Sequence, residues 1–539
     1  MQLRSLTDPF LLRMYRCRQA IASPTDALPL DILRIISGFL SLAYFLRTLV
    51  ESPDFSAPDG LIDHRLLMEM FWFTRMGLFH SWMSAEVFQA IFALACLCSV
   101  CLIVGFQVRL CAAILYLIAV SAYRWNFLVI YVDDAIIHLL LFWMIVLPAG
   151  RTLILADWLK NGRGVWDGWK SMTVSGTAVR CFLWNLALIY LVAGLWKFTS
   201  PMWRDGVALY AVFKLPISYA PDFWTPAHLP LLMIFNYATL ILEPLIPLML
   251  FLPKGHYAKY ALLAGFIGLH LGSVATLDIP FANLACAGAA VLIFREELMD
   301  WFRGSGDKRA AAPSPEIPAR IGLSGGFAIF MVAMLTLAML SSVSLPQWRT
   351  PLRESFDAPK IQSATNLPAE RQALASALPG KPPEAGYEGL GPMQKTFFGV
   401  LWIMGIAQQY QLFNWIDDRN FTVRYKIEED LNDGSVRPIE PDAMFPPSLR
   451  GVLLQFYVHG ITWLRIPPER REELRRSLLT RIARRYCRDN QPTGKIAVYS
   501  SVERIDPRFD TATGEPEALL MSFGCRPAEP FADELTIAP

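Results

Sequence analysis

The chain has 539 residues, of which 54% are hydrophobic, 12% aromatic and 18% charged. Its mean hydropathy is positive, which is too apolar for an ordinary soluble protein and fits a multi-span membrane protein with a polar appendage. The formal net charge is only +2, and no basic domain or readable motif marks a nucleic-acid partner.

Met1 to Ala27 is short and mostly polar, with Arg4, Arg13, Arg16 and Arg18. The first long apolar run follows late and shows no small-residue cleavage site, so it reads as a retained span and not a signal peptide. A bilayer core needs about 20 apolar residues per helix. Nine stretches qualify as spans: Ile35–Leu49, Val87–Phe106, Leu110–Val132, Ala135–Leu147, Ala178–Phe198, Leu229–Leu252, Tyr257–Thr276, Phe281–Phe294 and Ile321–Val343. The fourth and eighth are short.

With nine spans, the basic residues collect on one side. They are Arg13, Arg16 and Arg18; Arg109; Arg151, Lys160, Arg163 and Lys170; Lys254 and Lys259; and Arg303, Lys308 and Arg309. The opposite connections are leaner or acidic, as in Glu51-Ser-Pro-Asp54 and Asp133-Asp134. The positive side is the cytoplasmic one. The chain is therefore expected to cross the cell (inner) membrane repeatedly, with the N-terminus in the cytoplasm and the C-terminal part outside.

Leu61 to Met83 mixes Trp72, Phe73, Phe79 and Trp82 with Asp63, His64, Arg65 and Arg75, and reads as an amphipathic segment in the outer interface. Pro201 to Pro226 is aromatic and broken by prolines, and is expected to fold back into the outer mouth of the bundle. Pro351 to Pro392 is a Pro/Ala/Glu-rich linker. Phe397–Phe413 is apolar enough to rest on the membrane. Phe421–Ile427 alternates and is followed by Asn432-Asp433-Gly434, a hairpin signal. Pro467 to Arg488 is a basic helix with Leu474, Leu478, Leu479 and Ile482 on one face. Ile496–Val502 reads as a strand. The expected fold is thus mainly α: a polytopic transmembrane helical bundle with a C-terminal extracytoplasmic α+β domain. Its parts are an N-terminal segment over 1–28, a membrane domain over 29–344, a linker over 345–392 and the outer domain over 393–539.

Six of the nine cysteines (Cys96, Cys98, Cys101, Cys111, Cys181 and Cys286) lie in apolar runs and read as small hydrophobes, and the Cys98/Cys101 spacing lacks a second pair for a metal. Cys487 and Cys525 lie in the polar C-terminal part and are free to pair if that part is extracytoplasmic.

Polar residues inside the spans are costly, and each is a candidate for function. Arg124, Asp133, Asp134, His138, Lys197, Glu243 and His270 share a depth and suggest a polar cavity opening outward. Each also has a plain structural reading. Arg124 can fasten two helices through Asp133 or Asp134. Glu243, before Pro244, can bond a neighbouring backbone. His138 and His270 can be satisfied buried imidazoles. Lys197 can snorkel from a helix end, or serve as a base, since desolvation favours the neutral amine. None has metal-ligand spacing, and no metal is expected.

Several of these residues stand in a pattern. Arg124-Trp-Asn126, Asp133-Asp134, Leu147-Pro148 and Asp157 resemble the block around the fourth helix of the HTTM family, the membrane domain shared with vitamin K-dependent gamma-glutamyl carboxylase. Ala193-Gly194-Leu-Trp-Lys197, Trp203-Arg-Asp-Gly206, Leu242-Glu243-Pro244-Leu-Ile-Pro247 and the His270 helix resemble the later blocks, over roughly residues 25–300. Gln409-Tyr-Gln-Leu-Phe413, the Asp433-Gly434 turn and Arg504-Ile-Asp506-Pro507 resemble pieces of the carboxylase's lumenal domain.

The resemblance implies a nine-helix topology and a quinol-dependent reaction. In it, a lysine deprotonates reduced vitamin K, oxygen adds, a strongly basic quinone alkoxide forms, and glutamate is carboxylated with CO2. It assigns catalytic roles to Lys197, Asp134 and His270, and contacts to vitamin K or another lipid quinol to Arg124, Trp203, Arg204 and Glu243. It also implies membrane lipid and a secreted protein or peptide substrate as partners. Asp134 stands where the family has a histidine and is expected beside Lys197, either holding it as a cation or polarising a neighbour. The competing expectation is a non-catalytic membrane protein that binds a quinone, lipid or peptide and assists maturation or export of a secreted partner.

Overall fold

The computed structural model describes residues 19–304, 321–343, 392–406, 421–431, 433–459, 467–507, 515–525 and 536–537. Most of the N-terminal segment, the linker up to its last residue, the Gln409–Phe413 motif and Asn432 lie outside the described residues.

The described chain is mostly helical, with a small sheet near the C-terminus. The helices of the bundle are α1 (Ala27–Phe55), α3 (Ala85–Val104), α4 (Val108–Trp125), α5 (Val132–Val146), α6 (Thr177–Thr199), α8 (Leu229–Leu245), α9 (Tyr257–Thr276), α10 (Pro280–Ile293) and α11 (Leu323–Val343). Between them lie the short α2 (His64–Met70) and α7 (Ala208–Lys214). All nine expected spans fall on these helices. Six stretches are long and apolar enough to cross a membrane: Ala27–Phe55, Ala85–Val104, Val108–Trp125, Thr177–Thr199, Pro226–Leu250 and Tyr257–Thr276. α10 is a shorter apolar helix.

Local chemistry sets the helix ends. Gly105 closes α3 in the left-handed region, at φ 81°, where a side chain would be strained. At the start of α5, the Asp134 carboxylate accepts the Tyr131 N–H at 3.0 Å. Asp133 reaches across to the first turn of α10 and accepts Phe281 N–H at 3.2 Å and Ala282 N–H at 2.7 Å. A carboxylate suits the positive end of a helix and satisfies donors that α10 cannot bond internally.

The start of α1 holds an ion pair not expected from the sequence. Asp31 and Arg34 are both fully buried and 2.9 Å apart. Asp31 accepts the N–H groups of Gly150, Arg151 and Thr152 at 2.5–2.9 Å. Arg34 donates to the carbonyls of Leu102, Ile103, Thr152 and Leu153. Beside it, β1 (Pro24–Asp26) pairs antiparallel with β2 (Thr173–Ser175).

After the helix α12 (Pro392–Ile403), the C-terminal part forms an antiparallel sheet. Its order is β4-β3-β5-β6-β7, from β3 (Phe421–Asp430), β4 (Val436–Ile439), β5 (Lys495–Arg504), β6 (Glu515–Gly524) and β7 (Thr536–Ile537). The expected hairpin is β3–β4, turned at Gly434 with φ 83°. Helices α13 (Leu449–His459) and α14 (Pro468–Asn490) cover the sheet. Leu474, Leu478, Leu479 and Ile482 form the buried face of α14, as its periodicity predicts. Cys487 at the end of α14 is disulfide-bonded to Cys525 after β6.

The first part of the segment Leu61–Met83 packs against protein. Its apolar residues Leu61, Ile62, Leu66 and Leu67 are buried in one cluster with Met444, Leu454, Leu474 and Leu478 of the C-terminal part. Protein covers this face, and polar contacts fix the match. Asp63 accepts from Ser477 at 3.0 Å and faces Arg481 at 3.5 Å. Arg481 donates to the carbonyls of Pro58 and Gly60 at 2.9 Å, and Arg485 pairs with Asp54 at 2.8 Å. This part of the segment is a docking surface, while Trp72 and Trp82, further along it, are 62% and 75% exposed.

A second contact reaches deeper. Arg450 of α13 is 3% exposed and inserts between α1 and α5. It donates to Asp134 at 2.7 Å, Glu51 at 3.1 Å and the Val129 carbonyl at 3.3 Å, over the Tyr131 ring. Asp134 also accepts from the Tyr44 hydroxyl at 2.5 Å. Removing Arg450 leaves the buried Asp134 carboxylate without its cation, which costs about 3–5 kcal/mol. Arg450→Ala is expected to lower the thermal midpoint and to make the C-terminal part sensitive to limited proteolysis.

His64 adds a pH dependence to the same interface. It is buried, bonds the Phe55 carbonyl at 2.8 Å and stacks on Trp125. Burial pushes its pKa down from 6.5 to about 3. Between those values the unfolded chain binds a proton that the folded chain does not, so stability falls as pH falls through that window. Thermal melts of His64→Phe are expected to lose that share of the acid sensitivity.

Candidate functional site

The site begins with a close helix crossing. A Cβ built on Gly194 of α6 would lie 2.7 Å from Pro244 Cδ and 3.3 Å from Glu243 Cβ of α8. Only glycine lets the two backbones approach this closely. One turn further along α6, Lys197 then faces Glu243. The Lys197 ammonium lies 2.6 Å from Glu243 Oε2 and 2.9 Å from Oε1, with side chains 2% and 8% exposed. Trp203 stands over the ammonium, with its ring centroid 5.1 Å away.

The turn carrying Trp203 is pinned. Ser200 Oγ accepts the Trp203 N–H at 3.2 Å. Asn236 of α8, fully buried, donates to the Trp203 carbonyl at 2.7 Å and accepts from Leu209 N–H of α7 at 3.3 Å. The Pro201–Pro226 segment thus folds against the bundle, as its prolines and aromatics suggest.

Lys197 and Glu243 lie in the wall of a cavity of about 590 Å³. A second polar group lines the same cavity: Tyr190 of α6, His270 of α9 and Asn283 of α10. Asn283 Nδ2 donates to the Ile279 carbonyl at 2.8 Å, which fixes its amide. Its Oδ1 therefore accepts from His270 Nδ1–H at 2.8 Å. His270 Nε2 is left as the acceptor of the Tyr190 hydroxyl at 2.5 Å. The remaining walls are mostly carbon, from residues such as Ile136, Ile189, Leu232 and Ile279, with the hydroxyls of Thr239, Ser273 and Thr276 among them.

The expected common level of polar groups divides in two. Lys197, Glu243, His270 and Trp203 meet at the cavity. Asp134, expected beside Lys197, instead holds Arg450 and Tyr44, and the lysine's partner is Glu243. Arg124 forms no bond to Asp133 or Asp134. It donates to the carbonyls of Met76, Trp402 and Ile403, outside the cavity wall. Arg204 also stands outside that wall, with its carbonyl accepting from Tyr237. His138 sits edge-on to Tyr123, away from the lining.

Tyr190, Asn236 and Asn283 were not singled out in the sequence. Their only signal is an uncharged polar residue inside an apolar run, which is common in membrane helices. Compared with known proteins, the chain matches no family model, no curated protein and no solved structure.

Two charges buried together make a coupled pair. Removing one leaves the other uncompensated and costs about 3–5 kcal/mol, whereas replacing both with apolar groups is close to neutral. Lys197→Met and Glu243→Met are each expected to destabilise strongly, and the double variant to recover most of the loss. A double-mutant cycle of thermal midpoints reads this directly.

Proposed function

We propose that the protein is an integral membrane relative of the vitamin K-dependent gamma-glutamyl carboxylase type, in which the cavity binds a reduced lipid quinone and Lys197 serves as the base for its oxidation. The observation that carries this reading is the buried amine of Lys197, paired with Glu243, in an otherwise apolar cavity of a size suited to a small ligand. The cavity fits such a group: carbon walls suit a ring and tail, and the two polar clusters suit its hydroxyls. Lys197, Glu243 and Trp203 would hold one edge of the ring, and Tyr190 with His270 another.

The Lys197–Glu243 pair handles a proton as a unit. At 2.6 Å, Glu243 Oε2 is placed to take the proton from Nζ, leaving a free lone pair on the amine. In apolar surroundings the neutral and ionic forms of such a pair lie closer in energy than in water. Nζ then accepts a hydroxyl proton from the guest and becomes a cation beside the guest's oxyanion, while Glu243 keeps the first proton as a neutral carboxyl. The Asn283–His270 bond keeps Nε2 as an acceptor, so Tyr190 and His270 orient a polar edge. When bound, the reduced quinone supplies, with oxygen, the strong base needed to open a weak carbon acid such as glutamate to CO2.

Nine spans, a cytoplasmic N-terminus and an extracytoplasmic C-terminal domain complete this reading. The pattern of basic residues supports it, and so does the Cys487–Cys525 disulfide, which belongs to an oxidising compartment. One observation favours a second reading. The ion pair satisfies Lys197 within the fold, and a non-catalytic protein that binds a quinone, lipid or peptide and assists maturation of a secreted partner would keep it for stability alone.

Purified protein incubated with vitamin K hydroquinone and oxygen is expected to form the epoxide, followed by chromatography. Lys197→Ala should lower the rate by about 10²–10⁴-fold, the usual worth of a general base. Quinone binding without epoxide from the folded parent would select the non-catalytic reading.

A further inference from the structure

We propose that the cavity is loaded sideways from the bilayer, and that its ligand is an amphiphile whose apolar tail lies in the cleft between α8 and α9, admitted by Gly268 and Gly272. The inference rests on the reading of the cavity as a ligand site, though not on its quinol chemistry.

The cavity wall runs from buried to exposed. Lys197, Trp203 and Tyr190 are 2%, 1% and 4% exposed. Leu231 and Phe235 of α8 line the same cavity and are 49% and 53% exposed. Ala238 of α8 and Gly268 and Gly272 of α9 also line it and are exposed. Residues that belong both to a cavity wall and to the outer surface mark its mouth. This mouth opens on the flank of two helices apolar enough to cross a membrane.

The glycines explain why the helices part. A Cβ at Gly265 would meet Leu242 at 2.9 Å, so α8 and α9 touch there. At Gly268 and Gly272 a Cβ would meet nothing within 4 Å. The cleft therefore opens along one stripe of α9 with no side chain to fill it.

Polarity is graded the same way. The charged and imidazole groups lie at the buried end. Near the mouth, Ser273 donates to the Leu269 carbonyl at 2.9 Å and Thr276 to the Gly272 carbonyl at 2.8 Å, so both hydroxyls are satisfied by their own helix. What remains is a carbon-lined slot ending in a polar pocket. A molecule with a polar head and a long apolar tail matches it, and a water-soluble polar substrate gains nothing from its rim.

The test uses photolabelling in lipid nanodiscs with a diazirine-bearing geranylgeraniol, followed by peptide mapping. The expected result is labelling of the α8 and α9 peptides around Phe235 and Gly268 above that of the outward face of α3, around Leu94 and Leu97. Gly268→Trp and Gly272→Trp should abolish the excess, while Gly268→Ala, which adds only a methyl group, should retain it. Thermal midpoints confirm that the variants fold. Labelling spread evenly over the surface, or unchanged in the folded Trp variants, would overturn the proposal. Excess vitamin K quinone that displaces the label supports both readings. Cleft labelling that the quinone leaves intact supports the sideways entry and removes the quinone.

Discussion

An ammonium and a carboxylate 2.6 Å apart, almost wholly withdrawn from solvent, persist only while each keeps the other. That constraint recurs through the molecule. Lys197 holds Glu243 where α6 and α8 cross. Asp31 holds Arg34 at the start of α1. Arg450 holds Asp134 and Glu51 at the other end of the same helix. Arg47 continues that chain through Glu51 at 3.1 Å to Asp278 at 2.9 Å, tying α1 to the loop before α10. Asp31–Arg34 and Arg47–Glu51 lie within α1, and the other pairs join elements far apart in sequence; the remaining bonds of Asp31 and Arg34 go to the loop over residues 150–153 and to the end of α3. The bundle is therefore held in register by a few electrostatic contacts, with carbon packing filling the space between them.

The same rule separates groups that look alike in sequence. Asp133 and Asp134 are adjacent, yet they point to opposite tasks. Asp133 caps the first turn of α10, and Asp134 receives Arg450 of the C-terminal part. Neither reaches the cavity lining. The cavity is left with one balanced ion pair and one neutral chain, Asn283–His270–Tyr190. It thus carries no net charge when Lys197 and Glu243 are paired, a setting suited to an uncharged guest.

Much of the architecture was legible in the sequence. Apolar runs located every bundle helix among the described residues, and six stretches are long and apolar enough to cross a membrane. The α14 stripe and the β3–β4 hairpin followed from periods of 3.6 and 2. Lys197, Glu243 and His270 stood out because charge and imidazole are rare in such runs. The pairing was not legible. Which carboxylate meets Lys197 depends on the contact of Gly194 with Pro244, and that contact is a property of two helices rather than of either. Arg450 was invisible as a partner of the bundle for a related reason. It lies 316 positions from Asp134, in a segment whose composition reads as ordinary soluble domain. Arg124 shows the converse, since a charge in a span found backbone carbonyls instead of the nearby aspartates.

The span between Asp134 and Arg450 has a consequence for how the molecule is made. At ribosomal speeds of about 5–20 residues per second, those 316 residues take ~15–60 s to synthesise. Throughout that interval α1 and α5 exist with Asp134 lacking the cation it holds in the finished fold. The nascent bundle must leave this end of α1 and α5 open to water until the last third of the chain arrives. Assembly is thus ordered in time, and the bundle reaches its mature form only when α13 has docked against α1 and α5.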